Sequence, residues 1–92
     1  MNKKTLYRIY NLKTDASYFG ISSSKGNVCA QERFSLDLGM HPCRTLQDDY
    51  TKTGLELFVI ETIKESDETE ELVKLKAELE KQLEDKGITV YR

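Results

Sequence analysis

Few side chains in this 92-residue chain are equipped to do chemistry. Cys29 and Cys43 are too few and too far apart for a CxxC-type zinc site, and His41 is the sole histidine. In a reducing compartment both cysteines are expected to be free thiols. That leaves the tyrosines. Tyr7 and Tyr18 lie in two short strand-like runs, LYRIYNL and SYFGIS, on either side of the polar turn Lys13-Thr14-Asp15-Ala16. A hairpin over residues 6–22 would set the two phenols opposite one another. Gly20 follows the second tyrosine inside its strand, where glycine marks a bulge or the close approach of another group.

The elements that must position these residues can be read from spacing. Within the first strand Tyr7, Ile9 and Asn11 share a face. After the Ser/Gly-rich loop 22–27, a short helix is expected over 28–38, with Cys29, Phe34, Leu36 and Leu38 as its apolar side and Gly39 as its stop. Pro42 suits the first turn of a second helix, running to about Thr53 with Leu46 and Tyr50 on one face. The run LELFVIETI, residues 55–63, is the most apolar stretch and is expected as a central strand. Asp67 and Glu70 are spaced as a capping box for a long helix, whose Leu72, Leu75, Leu79 and Leu83 form one stripe. Residues 88–91 are expected as a final edge strand. The predicted class is α+β: a small antiparallel sheet, made of the N-terminal hairpin plus a central third strand, covered by three helices in a single domain, 1–92.

Composition narrows the function classes. No apolar run approaches the roughly 20 residues that a bilayer span needs. The start, MNKK followed by TLYRIY, reads as a strand and not as a signal peptide, so a cytoplasmic location is expected. The net charge of −2 argues against non-specific nucleic-acid binding. The charge is segregated, however: residues 1–14 carry Lys3, Lys4, Arg8 and Lys13 and no acid, whereas residues 64–86 hold five lysines against nine acids. A local basic face is therefore compatible with the totals.

The order of elements, together with particular residues, resembles the GIY-YIG nuclease family. Its first tripeptide corresponds to Thr5-Leu6-Tyr7 and its second to Tyr18-Phe19-Gly20, with the tyrosines 11 positions apart. The stretch GMHPCRTLQDDYTKTG, residues 39–54, is similar to the family's run of His, Leu-Gln, an aromatic, a Lys and a closing Gly. The resemblance implies phosphodiester hydrolysis: one tyrosine as base or partner of the attacking water, the second tyrosine and the histidine moving protons, a first-helix arginine steadying the phosphate, and a last-helix glutamate holding Mg²⁺. Carried onto this chain, it implies Tyr7, Tyr18, Arg33 and His41 as the site, with Gly20 making room. Arg33, with Phe34 beside it, takes the arginine's place only if the preceding loop is five residues longer; the ungapped count falls on Val28.

The carboxylate is where the chain departs from the family. Four residues past the apolar anchor Leu72 stands Lys76, and a one-residue slip reaches Ala77. A protonated lysine has no lone pair for a cation. A like charge about 4 Å away costs on the order of 4 kcal/mol at a surface-like dielectric. No metal is therefore expected, and the resemblance implies a hydrolytically inactive copy that binds DNA or a host protein, as a phage or mobile-element inhibitor would. Nucleic-acid contacts would fall to Lys3, Lys4, Arg8, Lys25 and Arg44. The alternative is an active Mg²⁺-dependent endonuclease that recruits Glu71 or Glu78. A third reading makes the long acidic helix a contact surface for another protein.

Overall fold

A computed structural model describes residues 3–23 and 27–92, Leu55 by its backbone alone. The expected hairpin is present as β1 (Lys4–Asn11) and β2 (Ser17–Ser22). Its turn is closed by the Asn11 amide donating to the Ala16 carbonyl at 3.0 Å and the Asp15 amide to the Asn11 carbonyl at 2.8 Å. Asp15 takes φ 61°, a left-handed conformation that an Asp tolerates. The register pairs Tyr7 with Gly20 and Ile9 with Tyr18. The two tyrosines are thus diagonal neighbours on one face and not directly opposed.

β3 (Phe58–Ser66) joins the other side of β1, antiparallel, giving the order β2-β1-β3. The third strand is accordingly at an edge and β1 is central. The apolar run that pointed to a central strand is divided: Leu55–Leu57 form a 3₁₀ turn, and β3 itself alternates half-buried residues with exposed Glu61, Thr62, Lys64 and Glu65. Leu6 pairs with Lys64 and Tyr7 with Thr62, so Ile63 is an extra residue that bulges β3.

Each face of the sheet carries its own core. Leu6 and Phe19 pack with Leu72 and the half-buried Leu75, Leu79 and Leu83 of α3 (Thr69–Asp85), confirming the leucine stripe. On the opposite face Tyr7, Ile9 and Phe58 meet α1 (Val28–Asp37) and α2 (Arg44–Thr53) through Val28, Leu36, Leu46 and Tyr50. Asn27 caps α1 by accepting from the Ala30 amide at 3.1 Å.

Several local expectations fail for reasons of phase. α1 buries Val28 and Leu36 and leaves Phe34 and Leu38 more than half exposed, at 65% and 55%. The inward face is therefore 28, 32, 36. Pro42 precedes the Cys43 N-cap and lies outside α2. The Asp67–Glu70 capping box does not form, because α3 begins at Thr69 after a Glu68 N-cap; Ser66 Oγ instead accepts from the Glu68 amide at 3.1 Å. The C-terminal residues give no strand, only a parallel bridge of Val90 to Ser17, with the Tyr91 amide donating to the Ser17 carbonyl at 2.8 Å. No helix among the described residues is long and apolar enough to cross a membrane.

Candidate functional site

Residue alternation puts Tyr7, Tyr18 and Gly20 on the α1/α2 side of the hairpin. The Tyr7 ring lies across Gly20. A Cβ there would meet Tyr7 Cζ at 2.5 Å and Cε1 at 3.0 Å, closer than side chains approach. The glycine thus makes room for the Tyr7 ring itself. Tyr18 stands beside Tyr7 with centroids 6.2 Å apart, and meets the His41 ring edge-on at 5.1 Å.

His41 is held from three directions. Its amide donates to Gln47 Oε1 at 3.0 Å, and Gln47 Nε2 is anchored in turn on the Leu36 carbonyl at 2.9 Å. The Cys43 amide donates to His41 Nδ1 at 3.1 Å. With Nδ1 accepting, the ring proton sits on Nε2, which is 3.2 Å from Glu32 Oε1. The Tyr7 hydroxyl donates to the same oxygen. Glu32 is a site residue that the sequence reading missed. Its signal was its phase on α1, four residues from each of the buried Val28 and Leu36.

This network fixes the protons. Burial, and then the hydrogen bond and charge of Glu32, push the Tyr7 phenol far above its ordinary range. Burial also raises Tyr18, more than its hydrogen bond with Tyr7 lowers it. Burial pushes Glu32 up, but the hydrogen bonds from His41 and Tyr7 outweigh it and hold the carboxyl below its usual range. Neither phenol is poised to accept a proton near neutral pH.

A cleft of about 530 Å³ opens along the outer edge of β2. Tyr18 and Gly20 line one side; Val73, Lys76, Ala77 and Glu80 of α3 line the other; and the C-terminal Tyr91 and Arg92 close one end. Lys76 Nζ lies 3.4 Å from Glu80 Oε2. Lys76, the residue that the resemblance sets at the family's metal carboxylate, therefore lines the cleft, and Glu80, the one acidic side chain lining it among the described residues, is paired with it. Of the alternatives, Glu71 pairs with Lys64 and Glu78 is exposed outside the cleft lining. Among the described residues no three His, Cys, Asp or Glu side chains come together as a metal site. Among the described residues that line the cleft, a lysine and the carboxylate paired with it do not make the oxygen-ligand set that a hard divalent cation takes.

The remaining candidates lie elsewhere. Arg33 donates to the Phe58 carbonyl at 3.3 Å and braces β3, while Cys29 Sγ donates to the Ile60 carbonyl at 3.6 Å. Arg8 donates to Ser17 Oγ at 2.9 Å, lies 3.7 Å from Glu61 and stacks 4.1 Å over the Tyr10 ring. Lys3 and Arg44 are exposed and Lys4 is half-buried. Lys25 is outside the described residues. None of the four described basic candidates lines the cleft. Both cysteines are free.

No family model matches the chain, and no curated protein does. Among solved structures, the fold is similar to that of a glutamate-to-alanine mutant of the catalytic domain of intron endonuclease I-TevI. The TM-score is 0.74 at 22% identity, covering 98% of this chain and 92% of that one. The chain has the GIY-YIG nuclease fold: a three-stranded antiparallel sheet with three helices.

Proposed function

We propose that this GIY-YIG-fold protein does not hydrolyse phosphodiesters and acts by binding. One observation carries the reading: in the cleft beside Tyr18 and Gly20, α3 presents the Lys76–Glu80 ion pair and, among the described residues, no further acidic side chain. The phenol chemistry agrees, since Tyr7 is already committed as a donor to Glu32.

The partner is a protein. Both cations lining the cleft are neutralised internally, Lys76 by Glu80 and Arg92 by Glu84 at 2.7 Å. A nucleic-acid backbone requires net positive charge along its track, and Arg8 is already engaged by Glu61 and Tyr10. An inactive copy of a nuclease fold suits an inhibitor that occupies a host enzyme or a competing nuclease.

The test incubates the purified chain with supercoiled plasmid and Mg²⁺ or Mn²⁺, beside Tyr7→Phe. The expected result is intact plasmid from both chains and no salt-dependent gel shift. Cleavage that disappears in Tyr7→Phe overturns the inactive reading. A shift that weakens steeply with salt replaces the protein partner with nucleic acid.

A further inference from the structure

The inner face of α1 places a carboxylate, Glu32, between the buried Val28 and Leu36, and turns it toward the sheet. Two donors converge on its Oε1: the Tyr7 hydroxyl and His41 Nε2, the latter at 3.2 Å. Both are enclosed. Tyr7 is 6% exposed, and the His41 side chain 1%. The direction of the His41 donor is not adjustable, because the Cys43 amide occupies Nδ1 and Gln47 holds the His41 backbone.

A phenol O–H and an imidazole N–H aimed at one point are the equipment of an oxyanion site. We infer that Tyr7 and His41 form such a seat, and that the chain fills it with its own anion: the Glu32 carboxylate stands where a ligand's phosphate oxygen would otherwise be received. The chemistry of the pair supports this. Hydrogen bonds to a charged acceptor are the strong ones, and they keep Glu32 ionised in spite of its burial. A phosphate oxygen offered to the Tyr7–His41 pair meets a negative charge and two donors already spent. No described buried polar side-chain atom is left without a partner, so the closed arrangement is complete.

The inference deepens the non-hydrolytic reading and rests on it: a shut seat explains why the chain engages its target without gripping a phosphodiester. It also makes a prediction that a merely structural carboxylate does not. Removing Glu32 leaves two buried donors unsatisfied, which is costly, and a small oxyanion of the right size relieves them.

The experiment titrates inorganic phosphate, at constant ionic strength, into isotopically labelled wild-type and Glu32→Ala chains. The Tyr7 and His41 resonances are followed by NMR. The expected result is a saturable shift of both residues in Glu32→Ala, with phosphate bound roughly tenfold tighter or more than by wild type. Equal binding by the two chains, or no binding by a folded Glu32→Ala, overturns the inference.

If Glu32→Ala does not fold, the unaltered chain decides. Its Tyr7 hydroxyl and His41 Nε2 protons are expected to exchange slowly with water and to resonate at unusually low field. Free exchange of either one overturns the inference. Plasmid cleavage by the wild type would instead defeat the non-hydrolytic reading, and leaves the phosphate comparison between the two chains standing as its own measurement.

Discussion

The Tyr7 hydroxyl donates to the Glu32 carboxylate across 25 residues of chain, joining the middle of the sheet to the inner face of α1. The same carboxylate oxygen accepts from His41, so strand, first helix and the loop before the second helix meet at one atom. An ionisable group at such a junction makes stability depend on pH.

Glu32 titrates below its ordinary range when folded: burial raises it, and the His41 and Tyr7 hydrogen bonds lower it further than burial raises it. A depressed carboxyl adds stability that is fully present above its unfolded value and is lost as pH falls through the folded one. Denaturant unfolding of wild type against Glu32→Gln should therefore show a gap that is widest near neutral pH. The gap closes on acidification, beginning at the usual carboxylate range. A constant gap would mean that Glu32 acts by shape alone.

Gly20 is required by the ring beside it. Gly20→Ala forces a Cβ into Tyr7 Cζ and Cε1, and the ring is held by Glu32 on its far end. Overpacking of this kind costs about 1–3 kcal/mol, or roughly 4–8 °C of Tm per kcal/mol in a chain of this size. In a Tyr7→Leu background the same substitution should cost much less. An unchanged penalty there would place the strain in the backbone and not against the ring.

The fold was legible where the signal is local. The hairpin follows from alternation and a turn with Asp15, and the α3 stripe from four leucines at helical spacing. What failed needed knowledge of a distant partner. Phe34 and Leu38 are as apolar as Val28 and Leu36, and only contact with the sheet decides which pair turns inward. β3 is apolar enough for a centre, yet its charged second half pairs on one side only.

The site was legible in part for the same reason. Tyr7, Tyr18 and His41 were singled out by the resemblance, and the structure places their rings side by side. Arg33, one position past Glu32 on α1, donates to the Phe58 carbonyl and makes no hydrogen bond described within this cluster. Glu32 was overlooked because an acid in a polar stretch reads as solvated surface until its two apolar neighbours at helical spacing are seen to be buried.

Three tyrosines should make the chain sensitive to alkali. Burial and then the hydrogen bond to Asp37 push Tyr50 up to about 12; burial and the bond to Asp49 push Tyr91 higher, and Tyr7 is raised by burial and Glu32. Above about pH 10 an unfolded tyrosine loses its proton while these keep theirs. The native state then binds more protons, so stability falls as pH rises. Spectrophotometric titration should find these phenols un-ionised at about pH 11 in folded protein, with an abrupt late rise on unfolding. Smooth ionisation of all five tyrosines near the ordinary value would show that the carboxylate contacts do not hold.

Lys76 lines the cleft, and its ammonium pairs with the Glu80 carboxylate there. Lys76→Glu replaces that ion pair with two carboxylates one helical turn apart, so without metal the variant should be less stable, by about 0.5 kcal/mol or more. The same substitution creates a place for a hard divalent ion, which takes oxygen ligands. Mg²⁺ or Mn²⁺ at ten times its dissociation constant would then add about 1.4 kcal/mol, or roughly 6 °C or more in Tm, reversibly on chelation. Wild type should show no such response, since its lysine repels the ion. Thermal unfolding with and without metal, on both chains, checks this. Equal stabilisation of wild type would mean that the ion binds despite Lys76, and the reason given for the proposed lack of hydrolysis would fall with it.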